Sequence, residues 1–364
     1  MHAPWCRYRC PYCAFNIYTS SNPKVEQWKD HVLRDWAHQR PFFSGNAVSL
    51  YIGGGTPSRL PISILKDLIP QFPLTQDAEL GFELNPDDAS ESYISELIEL
   101  GFNRFSLGIQ SLQDSALQFL GRQHSRSQLL SLLDNMQTLP LKSWSMDFIF
   151  GLPEHIEYEM ESDLQAIAQY RPPHISLYGL TIEPHTHFDR QVQKGLWQPL
   201  DSDQWEAAYH RIISFLTKLG YDHYEVSNFA LPNHRSRHNE SIWKGGNYAG
   251  LGPGAHAFLP NHNRLVQHGN WEKWTDKGLE SHEQTTDHQR AIDLIITRLR
   301  HCDGFHLREL QPFGYTIHVS DLAPFTKAQM LLVTSKTIAL GPAGWSIADG
   351  LSSALIDRLQ SLES

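Results

Sequence analysis

Long apolar runs are missing from this chain. None approaches the roughly 18 residues that a helix needs to cross a bilayer, so no membrane-spanning helix is expected. The opening stretch, Met1 to Cys10 (MHAPWCRYRC), holds no apolar h-region and does not read as a secretory signal. Basic stripes are also missing and the net charge is −10, which argues against a nucleic-acid partner. A reducing, cytoplasmic compartment is therefore expected, and peripheral membrane contact is compatible with these absences. Cysteine is scarce: there are four in 364 residues. Three of them, Cys6, Cys10 and Cys13, fall in one short stretch, while Cys302 stands alone. In a reducing compartment such a group is a metal or redox site rather than a disulfide framework.

What the sequence does contain is ordinary for a globular protein, with 40% hydrophobic and 19% charged residues. The length suffices for one large core and a smaller domain. The 20 histidines and 10 tryptophans are many for this length and suit a planar or metal-bearing ligand.

Short β-rich runs alternate with amphipathic stretches along most of the chain. Strands are expected near Val48–Ile52, Glu79–Leu84, Arg104–Gly108, Ser145–Phe150, His174–Leu180 and Asp222–Ser227. Helical spacing marks Lys24–Gln39, Glu91–Leu100, Ser127–Met136, Glu157–Gln169 and Ser202–Leu219. This alternation predicts an α/β fold with a parallel sheet, arranged as an open, partial (β/α)6 barrel. The site is then expected at the C-terminal strand ends, where GGGTP (Gly53–Pro57), NPDD (Asn85–Asp88) and GLP (Gly151–Pro153) follow strands. Residues 1–260 read as the core, the polar, His-rich 261–287 as a linker, and 288–364 as a small C-terminal α+β or helical domain.

The cysteine spacing is C-x3-C-x2-C in a tight loop. Three thiolates can hold three irons of a cubane and leave the fourth iron open to a small chelating molecule. Two other readings compete. A structural zinc would need a fourth ligand, for which His2 is available. Cys10 and Cys13 alone would make a C-x2-C redox pair. Neither accounts for a third cysteine at this spacing beside Tyr12. The Gly53-Gly54-Gly55-Thr56-Pro57 turn supports a bound ligand, because glycine lets one approach the backbone.

The loop resembles that of the radical S-adenosylmethionine (SAM) superfamily. There the open iron of a [4Fe–4S] cluster binds SAM, and electron transfer cleaves it to a 5′-deoxyadenosyl radical. The resemblance extends to ELNPDD, GFNRFSLGIQSL, LGRQHS, MDFIFGLP, SLYGLTIEPHT, YEVSNFA, HNESIW and YAGLGPGAHAF, which recur in this order in the oxygen-independent coproporphyrinogen III oxidase-like family. It covers about residues 1–260. Within that family the oxidase branch carries a further cysteine two places after the last ligand, where this chain has Phe15. The heme chaperone branch, HemW, carries Phe and then Asn there, as in Phe15-Asn16, together with an H-N-x-x-Y-W heme motif. Here that motif reads His238-Asn239-Glu240-Ser241-Ile242-Trp243, with Ile242 in place of tyrosine. The chaperone branch is therefore the expectation, and radical decarboxylation of coproporphyrinogen III is the alternative.

The resemblance implies roles at matching positions. Cys6, Cys10 and Cys13 would hold the cluster. Tyr12, Gly54, Gly55, Thr56 and Glu83 would contact SAM, with Glu83 on the ribose. Gln110, Arg122 and Asp147 match positions that bind a second SAM in the oxidase; alternatively, Arg122 and Asp147 form an ion pair and Gln110 satisfies backbone groups. His238, Asn239 and Trp243 would contact heme, and His256 is a weaker candidate. Heme or porphyrin, a heme-acceptor protein and an electron donor such as a flavodoxin or ferredoxin are the implied partners. A tyrosine that helps bind SAM in the family would precede Met1, so it and most of the first strand are expected to be absent.

Overall fold

The computed structural model describes residues 1–362. Its main sheet has eight strands: β1 (His2–Ala3), β2 (Ala47–Gly54), β3 (Leu74–Leu84), β4 (Arg104–Gln110), β5 (Ser143–Phe150), β6 (His174–Gly179), β7 (Asp222–Glu225) and β8 (Asn228–Ala230). The order is β1-β2-β3-β4-β5-β6-β8-β7, and the five pairings from β1 through β6 are parallel. Among the described residues no pairing joins the two edges, so the sheet stays open. Crossover helices α1 (Val25–Gln39), α2 (Glu91–Glu99), α3 (Arg126–Thr138), α4 (Met160–Tyr170) and α5 (Ser202–Lys218) cover one face.

The strands alternate in chemical character with period two, since successive side chains point to opposite faces of the sheet. Leu50, Ile52, Phe82, Phe105, Met146 and Ile175 join the buried core beneath helix residues such as Trp28, Ile94, Leu129 and Ile212. The intervening positions, including Ser49, Glu79, Glu83, Arg104, Ser106, Asp147 and His174, give the other face a polar lining.

Two segments differ from the expectation. Asp222–Ser227 is not another parallel unit. It begins a hairpin, β7–β8, whose second strand pairs antiparallel with β6. Glu225 closes the turn by accepting from the Ser227 N–H and the Asn228 side-chain amide.

The second difference is the 261–287 stretch, which is built structure rather than a linker. Strands β9 (His256–Phe258), β10 (Asn263–Gln267) and β11 (Leu279–Gln284) form an antiparallel sheet, with α6 (Trp271–Lys277) between the last two. Its polarity belongs to an exposed edge strand, since β11 is almost wholly solvent-facing. Trp271 and Trp274 are buried in the main core, where Trp271 packs on Trp5 and the Trp274 indole donates to buried Asp35 at 2.9 Å. Beyond it, Ala291, Ile295, Phe305, Ile338 and Leu351 gather into a second core, and Trp345 packs against both.

Candidate cofactor site

The cysteine loop is held at both ends. Trp5–Cys6 pairs in parallel with Tyr18–Thr19. Inside the loop the Cys13 N–H donates to the Cys10 carbonyl at 3.1 Å, and Arg9 donates to the carbonyls of Phe15 and Ile17. The Asn16 amide reaches the Gly269 carbonyl at 2.7 Å, so the 261–287 segment buttresses the loop.

At the C-terminal strand ends lies a cavity of about 470 Å³. Cys6, Cys10, Cys13, Tyr12, Gly54, Gly55, Thr56, Glu83, Gln110, Arg122 and Asp147 all line it. Every position predicted for the cluster and for SAM therefore converges on one space. Thr56 donates to the Cys6 sulfur at 3.3 Å and Arg122 to the Cys10 sulfur at 3.7 Å. Burial pushes the Cys6 thiol up to about 11 and raises Cys13 as well. Loading a metal there must displace protons.

A structural zinc would need a fourth ligand, and His2 lies against Gly54 without lining the cavity. Three thiolates without that ligand can hold three irons of a cubane and leave the fourth iron open. Among the described residues the one tight group is His301, Cys302 and Asp303. Its groups are already engaged: Lys244 lies 3.4 Å from the Asp303 carboxylate, and the His301 Nδ1 accepts the Asp303 N–H.

Glu83 faces the glycine turn. Its Oε2 accepts from the Gly54 N–H and its Oε1 from the Tyr51 hydroxyl, both at 2.9 Å. Burial raises its pKa above the ordinary carboxylate value. Gly54 has φ +115°, and a Cβ there would run into the His2 ring.

Neither alternative for the second SAM triad is present. Arg122 makes no ion pair with Asp147 and instead donates to Asn85 and the Gly108 carbonyl. Asp147, also raised by burial, accepts from the Ser106 and Ser145 hydroxyls. Gln110 sits in the left-handed region at φ 61°, and its buried Oε1 has no partner among the described residues. An orphaned acceptor beside the cavity is consistent with a ligand donor there.

The heme candidates lie outside this cavity, on α7 (Arg237–Trp243). His238 accepts or donates at Ser49 Oγ (3.0 Å) and stacks on Tyr51. Trp243 packs under the Arg300 guanidinium instead. Asn239 occupies the first turn, its N–H donating to the Ser236 hydroxyl. His256 is exposed on β9. The sequence reading missed Tyr51, Ser106 and Tyr178, while Asn85 falls in the NPDD strand-end loop that it flagged. Period-two polar positions on the strands were the available signal.

The radical SAM superfamily profile matches residues 1–167. A heme chaperone HemW of Synechocystis sp. is 30% identical over 344 residues, covering 90% of this chain and 83% of the relative. This chain belongs to the radical SAM HemW/HemN-like family. A mitochondrial radical S-adenosyl methionine domain-containing protein 1 of Bos taurus is 30% identical over 395 residues, covering 99% of this chain and 87% of that one. Coproporphyrinogen III oxidase (HemN) from Escherichia coli superposes with a TM-score of 0.80 at 21% identity, over 97% of this chain and 88% of the oxidase, and so shows the same fold. Membership of the radical SAM HemW/HemN-like family implies a [4Fe–4S] cluster and SAM, and the donor set of the cavity fits both. Among the described residues no helix is long and apolar enough to cross a membrane.

Proposed function

We propose that this chain is a radical SAM heme chaperone: it holds a [4Fe–4S] cluster on Cys6, Cys10 and Cys13, binds SAM beside it, and passes heme to an acceptor protein. The observation that carries the cofactor part is the convergence of the three cysteines, the glycine turn and Glu83 on one cavity. Bound there, a reduced cluster supplies an electron for cleaving the sulfonium of SAM. The chain's own part is to bind and orient. Gly54, Gly55 and Thr56 offer a close backbone, Glu83 accepts hydroxyl donors, and Tyr12 walls the space. Gln110, Arg122 and Asp147 stand ready for a second polar ligand.

Two things support the chaperone part. Relatives that match most of this chain are named heme chaperones, and exposed Phe15 stands where the oxidase branch has a further cysteine. His238, Asn239 and Trp243 are the proposed heme residues. A flavodoxin or ferredoxin would supply electrons in the cytoplasm, with residues 288–364 as a separate small domain.

Anaerobic reconstitution tests this reading. The protein should carry about four irons, lose them on Cys6→Ala, Cys10→Ala or Cys13→Ala, and keep them on Cys302→Ala. It should show a Soret band with heme and leave coproporphyrinogen III unconsumed with SAM and reductant. Stoichiometric zinc without iron would refute the cluster. Rapid decarboxylation without heme binding would put the oxidase first.

A further inference from the structure

We propose that His238 and Tyr51 are positioning residues of the SAM pocket, acting through Glu83 on the glycine turn. The inference rests on the SAM reading of the cavity given above. It assigns the histidine of the heme motif a role there that needs no heme.

The argument begins on β2, where period two puts Ser49, Tyr51 and Gly53 on one face. The Tyr51 ring is seated against glycines. A Cβ on Gly81 would meet its Cδ2 at 2.4 Å, and one on Gly53 would meet its Cε1 at 2.8 Å. The His238 imidazole stacks on the Tyr51 ring, with centroids 5.0 Å apart and planes 9° from parallel. The ring is therefore confined, and its hydroxyl has a fixed direction.

That hydroxyl donates to Glu83 Oε1, while Glu83 Oε2 takes the Gly54 N–H. His238 is fixed in turn. Its Nδ1 meets Ser49 Oγ at 3.0 Å, and its backbone N–H donates to Glu79 Oε1 at 2.9 Å. A continuous set of contacts thus runs from Ser49 through His238, Tyr51 and Glu83 to Gly54. Neither Tyr51 nor His238 lines the cavity. An imidazole that swung away to ligate a heme iron would uncover Tyr51.

The test measures SAM affinity and heme absorption on cluster-loaded protein, with iron content and melting temperature as controls. Tyr51→Phe should weaken SAM binding about tenfold, through loss of one hydrogen bond to a carboxylate. His238→Ala should weaken it about threefold to tenfold, the range of an aromatic pair. His238→Phe should restore SAM affinity to within about twofold, because its ring can stack. It should still bind no heme through this position, because it has no ligating nitrogen. That split separates positioning from ligation.

If Tyr51→Phe and His238→Ala both leave SAM affinity unchanged while Glu83→Ala abolishes it, the proposal is wrong. A His238→Phe protein as weak as His238→Ala would overturn the stacking role. If Glu83→Ala is also without effect, the SAM reading itself fails. Tyr51→Phe removes a single oxygen and decides the matter should the histidine variants not fold.

Discussion

At Gly81 the missing side chain is what lets Tyr51 lie against the sheet. A methyl group there would sit 2.4 Å from the ring, and the stacked His238 blocks retreat. Gly81→Ala should therefore cost about 1–3 kcal/mol, as overpacking does. The check is a lower denaturant midpoint with an unchanged slope; a midpoint equal to wild type would mean the ring moves freely. Legibility at this scale follows sequence distance. Cys6, Cys10, Cys13 and the glycine turn were readable because their geometry is set within a few residues. Tyr51 and Ser106 were not, since their roles depend on which strand face they occupy and what lies across it. His238 and Trp243 show the opposite effect. Five positions on a helix turn the chain through about 500°, so the two point well apart. Trp243 accordingly meets Arg300 while His238 meets Tyr51.

Among the elements, α7 depends on one buried carboxylate. Glu79, on β3, accepts from the Arg237 and His238 N–H groups at the helix start and from the Arg104 guanidinium at 2.9 Å. Arg104 also donates to the carbonyls of His234 and Arg235, so the segment before the helix is held from both sides. Glu79→Ala should cost about 3–5 kcal/mol, because it leaves Arg104 buried without its partner. Pairing it with Arg104→Met should recover part of that loss in a double-mutant cycle. Strict additivity of the two substitutions would show that the pair is not coupled. Most elements were legible because the strand and helix periods differ sharply. The hairpin at Asp222 was not, since its direction is set by Glu225 closing the next turn. The 261–287 stretch was misread because composition reports exposure. Its two core tryptophans, Trp271 and Trp274, are outnumbered by the solvent-facing residues of β11.

Across the whole molecule, the histidines that composition flagged are partly a packing feature. Burial lowers His174 well below its usual value and brings His223 and His238 to about 4. Each is neutral in the folded chain, whereas the unfolded chain binds a proton near 6.5. Above that pH these groups do not make stability depend on pH. As the pH falls from about 6.5 towards 4, the unfolded state takes up protons that the folded state refuses, and stability declines. His223 is the informative case. Its ring stacks on Phe229 at 4.4 Å and lies 4.1 Å from Trp345, the residue that packs against both cores. Charging it would place an imidazolium where the C-terminal core meets the sheet. The melting temperature of wild type should thus fall steadily between pH 6.5 and 4, as carboxylate titration begins to add its own loss. His223→Phe keeps an aromatic ring between Phe229 and Trp345 but cannot take up the proton. Its melting temperature should decline less steeply over the upper part of that window, from about pH 6.5 to 5, where carboxylates contribute least. Equal slopes for the two proteins in that interval would show that His223 titrates alike in both states and that burial does not hold it neutral.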